Sequence, residues 1–379
     1  MIYLDNAATT KIKPKEVIDS VIEAMKTMGN ASRGVYDESL SADMVVYNAR
    51  LAISELFNGP GPKQVAFTKN STEALNIAIR GMINEGDHVI TTEMEHNSVI
   101  RPLNHLKDEK NICIDYLKMD SLGNLNPNDL LMLINDKTTA LVLNHASNVT
   151  GNLNDLCRFG EICKENKIKF IVDASQTAGL SSIDMKKMGI DVVCFTGHKS
   201  LFGPQGTGGL CVSKDTEIRP LITGGTGVQT YNDHQPHEMP TRLEAGTLNS
   251  HGIAGLLAGV NYINKEGMDK IREEALNLAK AFYDGVKDIP GLTFYGDYRD
   301  FSNKSPIVSL NIKDLDSSYV SGILSEKYGI ATRPGAHCAP LVHKAFATVD
   351  RGMVRFSFSH FNTYREIQST IEAIKELAL

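Results

Sequence analysis

Residues 169–199 read KFIVDASQTAGLSSIDMKKMGIDVVCFTGHK, and their pattern decides the fold class. Phe170-Ile171-Val172 and Val192-Val193-Cys194-Phe195 are apolar without a break, the signature of strands buried on both faces. Asp173 ends the first run, and Lys199 lies four residues past the second. Working outward, 64–68, 88–92, 113–117, 139–146 and 207–212 read as further strands, giving seven with 169–174 and 192–197. Segments 71–83, 97–109, 126–135 and 155–166 carry the helical period between them. Such alternation implies a parallel or mixed sheet wrapped by helices.

After about residue 249 the pattern changes. A helical stretch over 253–287 is interrupted near Glu266-Gly267, and Pro290-Gly291 marks a turn. Strands at 292–295, 306–312 and 353–359 follow, with helices at 317–328 and 363–379. This α+β tail reads as a second, smaller domain.

Composition narrows the function. The 379 residues hold 39 basic and 45 acidic side chains, a net charge of −6, and no basic run, so a nucleic-acid partner is not expected. No apolar stretch approaches the roughly 18 residues of a membrane span. Met1-Ile2-Tyr3-Leu4-Asp5 resembles no targeting leader, so the expected location is cytoplasmic. None of the six cysteines forms a C-x-x-C pair, and a chain this long builds its core without disulfides. Five of them lie in apolar or helical contexts and read as inert, buried thiols.

Six constellations carry chemistry. Thr68-Lys69-Asn70-Ser71-Thr72-Glu73 opens a helix with free N–H groups and two hydroxyls, which suits a phosphate; alone it reads as an ordinary capped helix. Asp173 sits at the C-terminal end of a buried strand, where ligands of open α/β sheets bind, and a buried carboxylate there calls for a cation. Thr196-Gly197-His198-Lys199 precedes a glycine-rich loop, and a desolvated lysine can form a Schiff base. His96, just after a strand, can stack on a flat ring. Cys338, in Arg333-Pro334-Gly335-Ala336-His337-Cys338, lies in a turn-rich segment beside His337, a setting that can favour thiolate. The spacing of His337, Cys338 and His343 fits no zinc template. Arg355 interrupts an alternating strand and can grip a carboxylate if it faces inward. An acid and a lysine 26 positions apart, with a phosphate cradle, fit pyridoxal-phosphate chemistry.

Taken together and in order, from Tyr3-Leu4-Asp5-Asn6-Ala7-Ala8-Thr9-Thr10 to the C-terminal helix, these motifs resemble the class V aminotransferase family of fold-type I pyridoxal-phosphate enzymes. Within it the chain looks like the NifS/SufS cysteine desulfurases and the related selenocysteine lyases. The resemblance implies a large cofactor-binding domain over 15–260 with a mostly parallel seven-stranded sheet. It also implies a smaller α+β domain, from 1–14 and 261–379, that carries the Cys338 loop and Arg355.

Position by position, the resemblance implies the following roles. Lys199 holds pyridoxal 5'-phosphate and moves the proton, Asp173 pairs with the ring nitrogen, Gln176 bonds the phenolic oxygen, and His96 stacks on the ring. Ser71, Thr72, Thr196 and His198 hold the phosphate, while Asn148 and Arg355 bind the substrate carboxylate. Cys338 accepts the sulfur of L-cysteine, leaving L-alanine and a persulfide for an acceptor protein. Thr247, in Glu244-Ala245-Gly246-Thr247, reaches the neighbouring subunit's phosphate, which makes the expected assembly a homodimer. L-Selenocysteine is the alternative substrate, and transamination or another lyase reaction a more distant one.

Only 16 residues separate Cys338 from Arg355, which resembles the compact loop of the SufS-like group. Three departures stand out. The family's usual histidine near Asn30 is Ser32, the stretch Ser200-Leu201-Phe202-Gly203-Pro204 is one residue longer, and the extra N-terminal helix of many SufS-like chains is not seen.

Overall fold

The computed structural model describes residues 1–29 and 37–379; Ser32 lies outside the described residues. A seven-stranded sheet forms the centre, in the spatial order Val65–Thr68, Gly208–Val212, Val192–Thr196, Lys169–Asp173, Thr138–Asn144, His88–Thr92, Cys113–Leu117. All its strands run parallel to one another except Gly208–Val212, which is antiparallel to both neighbours. The unbroken apolar runs are explained by the two faces. Phe170, Val172, Val193 and Phe195 enter one hydrophobic cluster, and Ile171, Val192 and Cys194 enter the other.

Gly208 is where this sheet meets the first helix of the site. A Cβ there would lie 2.8 Å from Asn70 Cα and from the Phe195 carbonyl, so only glycine lets the strand approach so closely.

A third cluster, separate in its residues, joins Leu4 to Phe282, Leu310, Val354, Phe356 and Ile374. It packs the helices Met268–Val286 and Tyr364–Ala378 against a three-stranded antiparallel sheet, Val354–Ser357, Ile307–Ile312 and Leu292–Tyr295. The expected interruption in the long helix falls at Gly267, between Ser250–Glu266 and Met268–Val286. Ile2–Tyr3 pairs in parallel with Ile330–Ala331, which brings the N-terminal segment onto this unit.

Three readings need correction. The expected helix over 126–135 is a short turn, Pro127–Asp129, and a single helical turn, Leu130–Leu133. Asn126 Oδ1 accepts from the Asn128 N–H and Asn135 Oδ1 from the Lys137 N–H, so side chains compete with the helical ladder at both ends. Three helices went unread, Lys15–Thr27, Asp37–Leu56 and the short Pro340–Ala345. In Asp37–Leu56, outward-pointing Leu40, Met44 and Tyr47 blur the period, whereas Lys15–Thr27 keeps a helical spacing of apolar residues, of which Ile18, Ile22 and Met25 are exposed. Finally, the five cysteines other than Cys338 are not uniformly buried: Cys113 is exposed and Cys157 half-buried. Cys113 opens the edge strand of the sheet, where every second side chain faces water. Among the described residues no helix is long and apolar enough to cross a membrane.

Candidate active site

A cavity of about 270 Å³ lies at the C-terminal ends of the parallel strands. Sequence position alone explains most of its lining, because strand ends and the loops after them are where α/β sheets expose side chains.

One wall is built for an anion. Asn70 caps the helix Ser71–Met82, its Oδ1 accepting from the Glu73 N–H at 3.0 Å. Ser71 and Thr72 sit in the first turn and line the cavity. In the same lining, Thr196 Oγ1 and His198 Nδ1 are buried with no partner among the described residues. Burial, with Lys199 nearby, lowers the His198 pKa to about 4, so this imidazole is neutral.

The floor holds the charged pair that the sequence singled out. Asp173 is 5% exposed; its Oδ1 accepts from the Ser175 N–H at 2.9 Å and from the Ser175 hydroxyl. No cation lies within ion-pair distance of it among the described residues. Lys199 lines the same cavity and donates no hydrogen bond among the described residues. Burial, then the Arg355 charge, lowers its pKa to about 8, against a smaller opposing pull from Asp173. The loop beyond it folds back, Gly203 N–H on the Gly197 carbonyl at 2.8 Å. Gln176 donates to the Ala7 carbonyl at 3.2 Å and also lines the cavity.

His96 caps the helix Asn97–Lys110. Its Nδ1 accepts from the Ser98 N–H at 3.1 Å, so its Nε2 carries the ring proton.

The remaining wall comes from the C-terminal unit. Arg355, 1% exposed, faces inward rather than outward at an edge. It donates through Nη1 to the Asn148 carbonyl at 3.0 Å and through Nη2 to Asp5 Oδ1 at 2.8 Å, while its buried Nε has no partner among the described residues. Asn148 donates to the His337 carbonyl at 2.8 Å, and its buried Oδ1 is unpartnered among the described residues.

Cys338 is exposed and does not line the cavity; its neighbour His337 does. Both take positive φ, 57° and 50°. His337 does not act on Cys338 as a cation: burial, reinforced by Arg355, holds its imidazole well below the usual range and neutral. Thr247 lies away from this cavity, on the segment that Arg50 fixes by a two-pronged ion pair to Glu244 at 2.7 Å.

The structure therefore brings together Ser71, Thr72, His96, Asn148, Asp173, Gln176, Thr196, His198, Lys199 and Arg355, with Cys338 one residue outside and Thr247 apart. Arg333, Ser98, Asn144 and Ser175 also line the cavity and carried no expected role there, and Asp5, outside the lining, pairs with Arg355. The Arg333–Arg355 bridge, set by the antiparallel pairing of two distant segments, is not a local signal.

A family model described as Aminotransferase class-V matches residues 2–369. A probable cysteine desulfurase of Methanothermobacter thermautotrophicus is 33% identical, with the match covering 100% of this chain and 94% of the relative. A cysteine desulfurase of Salmonella agona is 30% identical, over 99% of this chain and 93% of its own. The apo structure of a cysteine desulfurase from Thermococcus onnurineus superimposes with a TM-score of 0.93 at 30% identity, covering 100% of this chain and 94% of that one.

Proposed function

The chain belongs to the class V aminotransferase family, and from that premise we propose that it is a pyridoxal-phosphate-dependent cysteine desulfurase. It converts L-cysteine to L-alanine and passes the sulfur through Cys338 to an acceptor protein. The observation that carries this reading is a cysteine loop fastened to the rim of a cavity that holds Asp173, with no cation beside it among the described residues, and a lysine of lowered pKa.

The residues fit the cofactor. Asp173 is a buried carboxylate without a cation among the described residues, which a protonated ring nitrogen supplies. Thr196 and His198 offer unpartnered buried atoms beside a helix N-terminus, where phosphate oxygens satisfy them. Ser71 and Thr72 would complete that cradle, Gln176 and His96 would hold the ring, and Lys199 would hold the group covalently. When bound, the cofactor supplies an electron sink for the charge left at Cα.

The chain's own groups do the rest. Arg355 Nε and Asn148 take the substrate carboxylate. Lys199 Nζ, once free, removes the Cα proton and later returns one. The Cys338 thiolate attacks the substrate sulfur; the new sulfur–sulfur bond forms as the carbon–sulfur bond breaks. The compact loop limits reach, so release of the sulfur needs an acceptor that docks there.

The same reading makes the protein a cytoplasmic homodimer in which Thr247 completes the partner's phosphate site. Exposed Ile18, Ile22 and Met25 on one helix, and Leu40, Met44 and Tyr47 on the next, support a covered surface. We also propose the division into 15–260 and 1–14 plus 261–379, supported by the separate hydrophobic cluster of the C-terminal unit.

The test is alanine and persulfide production from L-cysteine. Lys199→Ala is expected to abolish both, and Cys338→Ala to abolish the persulfide while the cofactor absorbance stays. Persulfide-dependent turnover surviving in Cys338→Ala overturns the reading.

A further inference from the structure

We infer that His337 reads the substrate's thiol: its Nδ1 accepts a hydrogen bond from the S–H and holds the sulfur as a neutral thiol beside Cys338. The inference rests on the desulfurase reading and deepens it by assigning a specificity-determining residue.

The tautomer follows from one contact. His337 Nε2 lies 3.0 Å from the Arg333 backbone oxygen. A carbonyl oxygen only accepts, so Nε2 carries the proton and Nδ1 a lone pair. That Nδ1 is buried and has no partner among the described residues, although the residue is only 4% exposed. A buried acceptor is normally satisfied. His337 is one of the residues lining the cavity, and the donor we assign to its Nδ1 is a molecule bound there.

The ring is held in place. It lies against the His343 ring, centroids 5.8 Å apart and planes 16° from parallel. Its carbonyl is held by Asn148 Nδ2 at 2.8 Å, and the next carbonyl by the Asn97 N–H at 2.7 Å. Positive φ at both His337 and Cys338 is a conformation that side chains other than glycine seldom adopt, and here these contacts maintain it.

The other cavity imidazoles do not offer this lone pair at this wall. His96 Nδ1 is already an acceptor for Ser98, which leaves a donor at Nε2. His198 belongs to the anion cradle, with Thr196.

A weakly basic acceptor suits the task. Burial and the two arginines disfavour a proton on His337, so it accepts the hydrogen bond without taking the proton. An S–H donor is neutral at neutral pH, whereas a selenol is ionised and has no hydrogen to offer. The contact therefore favours sulfur over selenium, relative to the same site without it.

The experiment compares His337→Ala and His337→Asn with the parent holoenzyme on L-cysteine and L-selenocysteine. For L-cysteine, kcat/KM is expected to fall about 3- to 10-fold in His337→Ala, the range for one lost hydrogen bond. His337→Asn, whose Oδ1 takes the place of Nδ1, is expected to recover most of it. For L-selenocysteine both variants stay near the parent value. A readout without turnover is the calorimetric preference for L-serine over L-alanine, which falls in His337→Ala alone. Equal losses on both substrates, or no loss on L-cysteine, overturn the inference. Should His337→Ala fail to fold, nitrogen-15 NMR of the parent decides: a protonated Nδ1 at pH 7 overturns the inference, and a bare Nδ1 whose signal moves on adding L-serine supports it. No alanine from L-cysteine in the parent defeats the desulfurase reading itself, a result distinct from an undiminished His337→Ala.

Discussion

The backbone N–H of Asn97 donates to the carbonyl of Cys338 at 2.7 Å. One contact thus joins the helix that follows His96 to the cysteine loop, which comes from the C-terminal third of the chain. The Asn148 amide on the His337 carbonyl, at 2.8 Å, is the second fastening. Asn148→Ala is expected to raise KM for L-cysteine about tenfold, the scale of a hydrogen bond to a charged group. It should also speed alkylation of Cys338 by iodoacetamide, measured in a Cys113→Ser background because Cys113 is exposed too. Unchanged alkylation would show that the Asn148 contact does not hold the loop.

On the proposed reading, the lowered pKa of Lys199 sets how the protein captures pyridoxal phosphate. Only the unprotonated amine is nucleophilic. With a pKa of about 8, capture of pyridoxal phosphate by the cofactor-free protein should rise about tenfold per pH unit below 8 and level off above it. Stopped-flow absorbance follows this directly. A rise continuing to pH 10 would mean that the lysine keeps its ordinary basicity.

Glu95 gives a stability signature. It is fully buried, and that burial pushes its carboxyl up to about 8, despite hydrogen bonds from Thr92 and the Asn144 N–H. Between about 4.5 and 8 the folded protein holds a proton that the unfolded chain has lost, so this group's contribution to stability falls as pH rises. Glu95→Gln has no proton to lose. Its stability relative to the parent should grow from pH 4.5 to 8 in urea titrations, and a gain independent of pH would sink the assignment.

The Asp5–Arg355 pair is the third target. Its side chains are 20% and 2% exposed. Removing one partner of a buried pair costs on the order of 3–5 kcal/mol. Asp5→Ala should approach that loss in urea, and its KM for L-cysteine should rise more than its kcat falls as Arg355 loses its orientation. A change within 1 kcal/mol, together with an unmoved KM, would show the pair to be incidental.

Much of this was legible because it is local. Phe170-Ile171-Val172 betrays a two-sided strand by its own alternation between the two clusters, and Asp173 and Lys199 follow such strands directly. The failures share a cause. Asp5 and Arg355 meet across 350 positions, and no period or motif spacing reports such a contact. Cys113 lay in an apolar run, yet its place at the sheet edge decides its exposure. His337 drew notice as a neighbour of Cys338 and as a member of a rejected metal-ligand set. Its own role depends on which ring nitrogen faces a carbonyl, and that is a matter of geometry alone.

The N-terminal segment has a consequence for how the site comes into being. Ile2 and Tyr3 pair with Ile330 and Ala331, and the Leu4 carbonyl accepts from the Ser357 N–H at 2.8 Å. Farther along, Thr10 Oγ1 donates to the Lys199 carbonyl at 2.8 Å. A stretch of ten residues thus spans from Lys199 to the strand that carries Arg355, and its partners at one end are synthesised more than 300 positions later. Contacts of such separation form slowly. The central sheet can assemble while the chain is still being made, but the cavity closes only after residue 357 has emerged, so a nascent chain has no finished pocket to load.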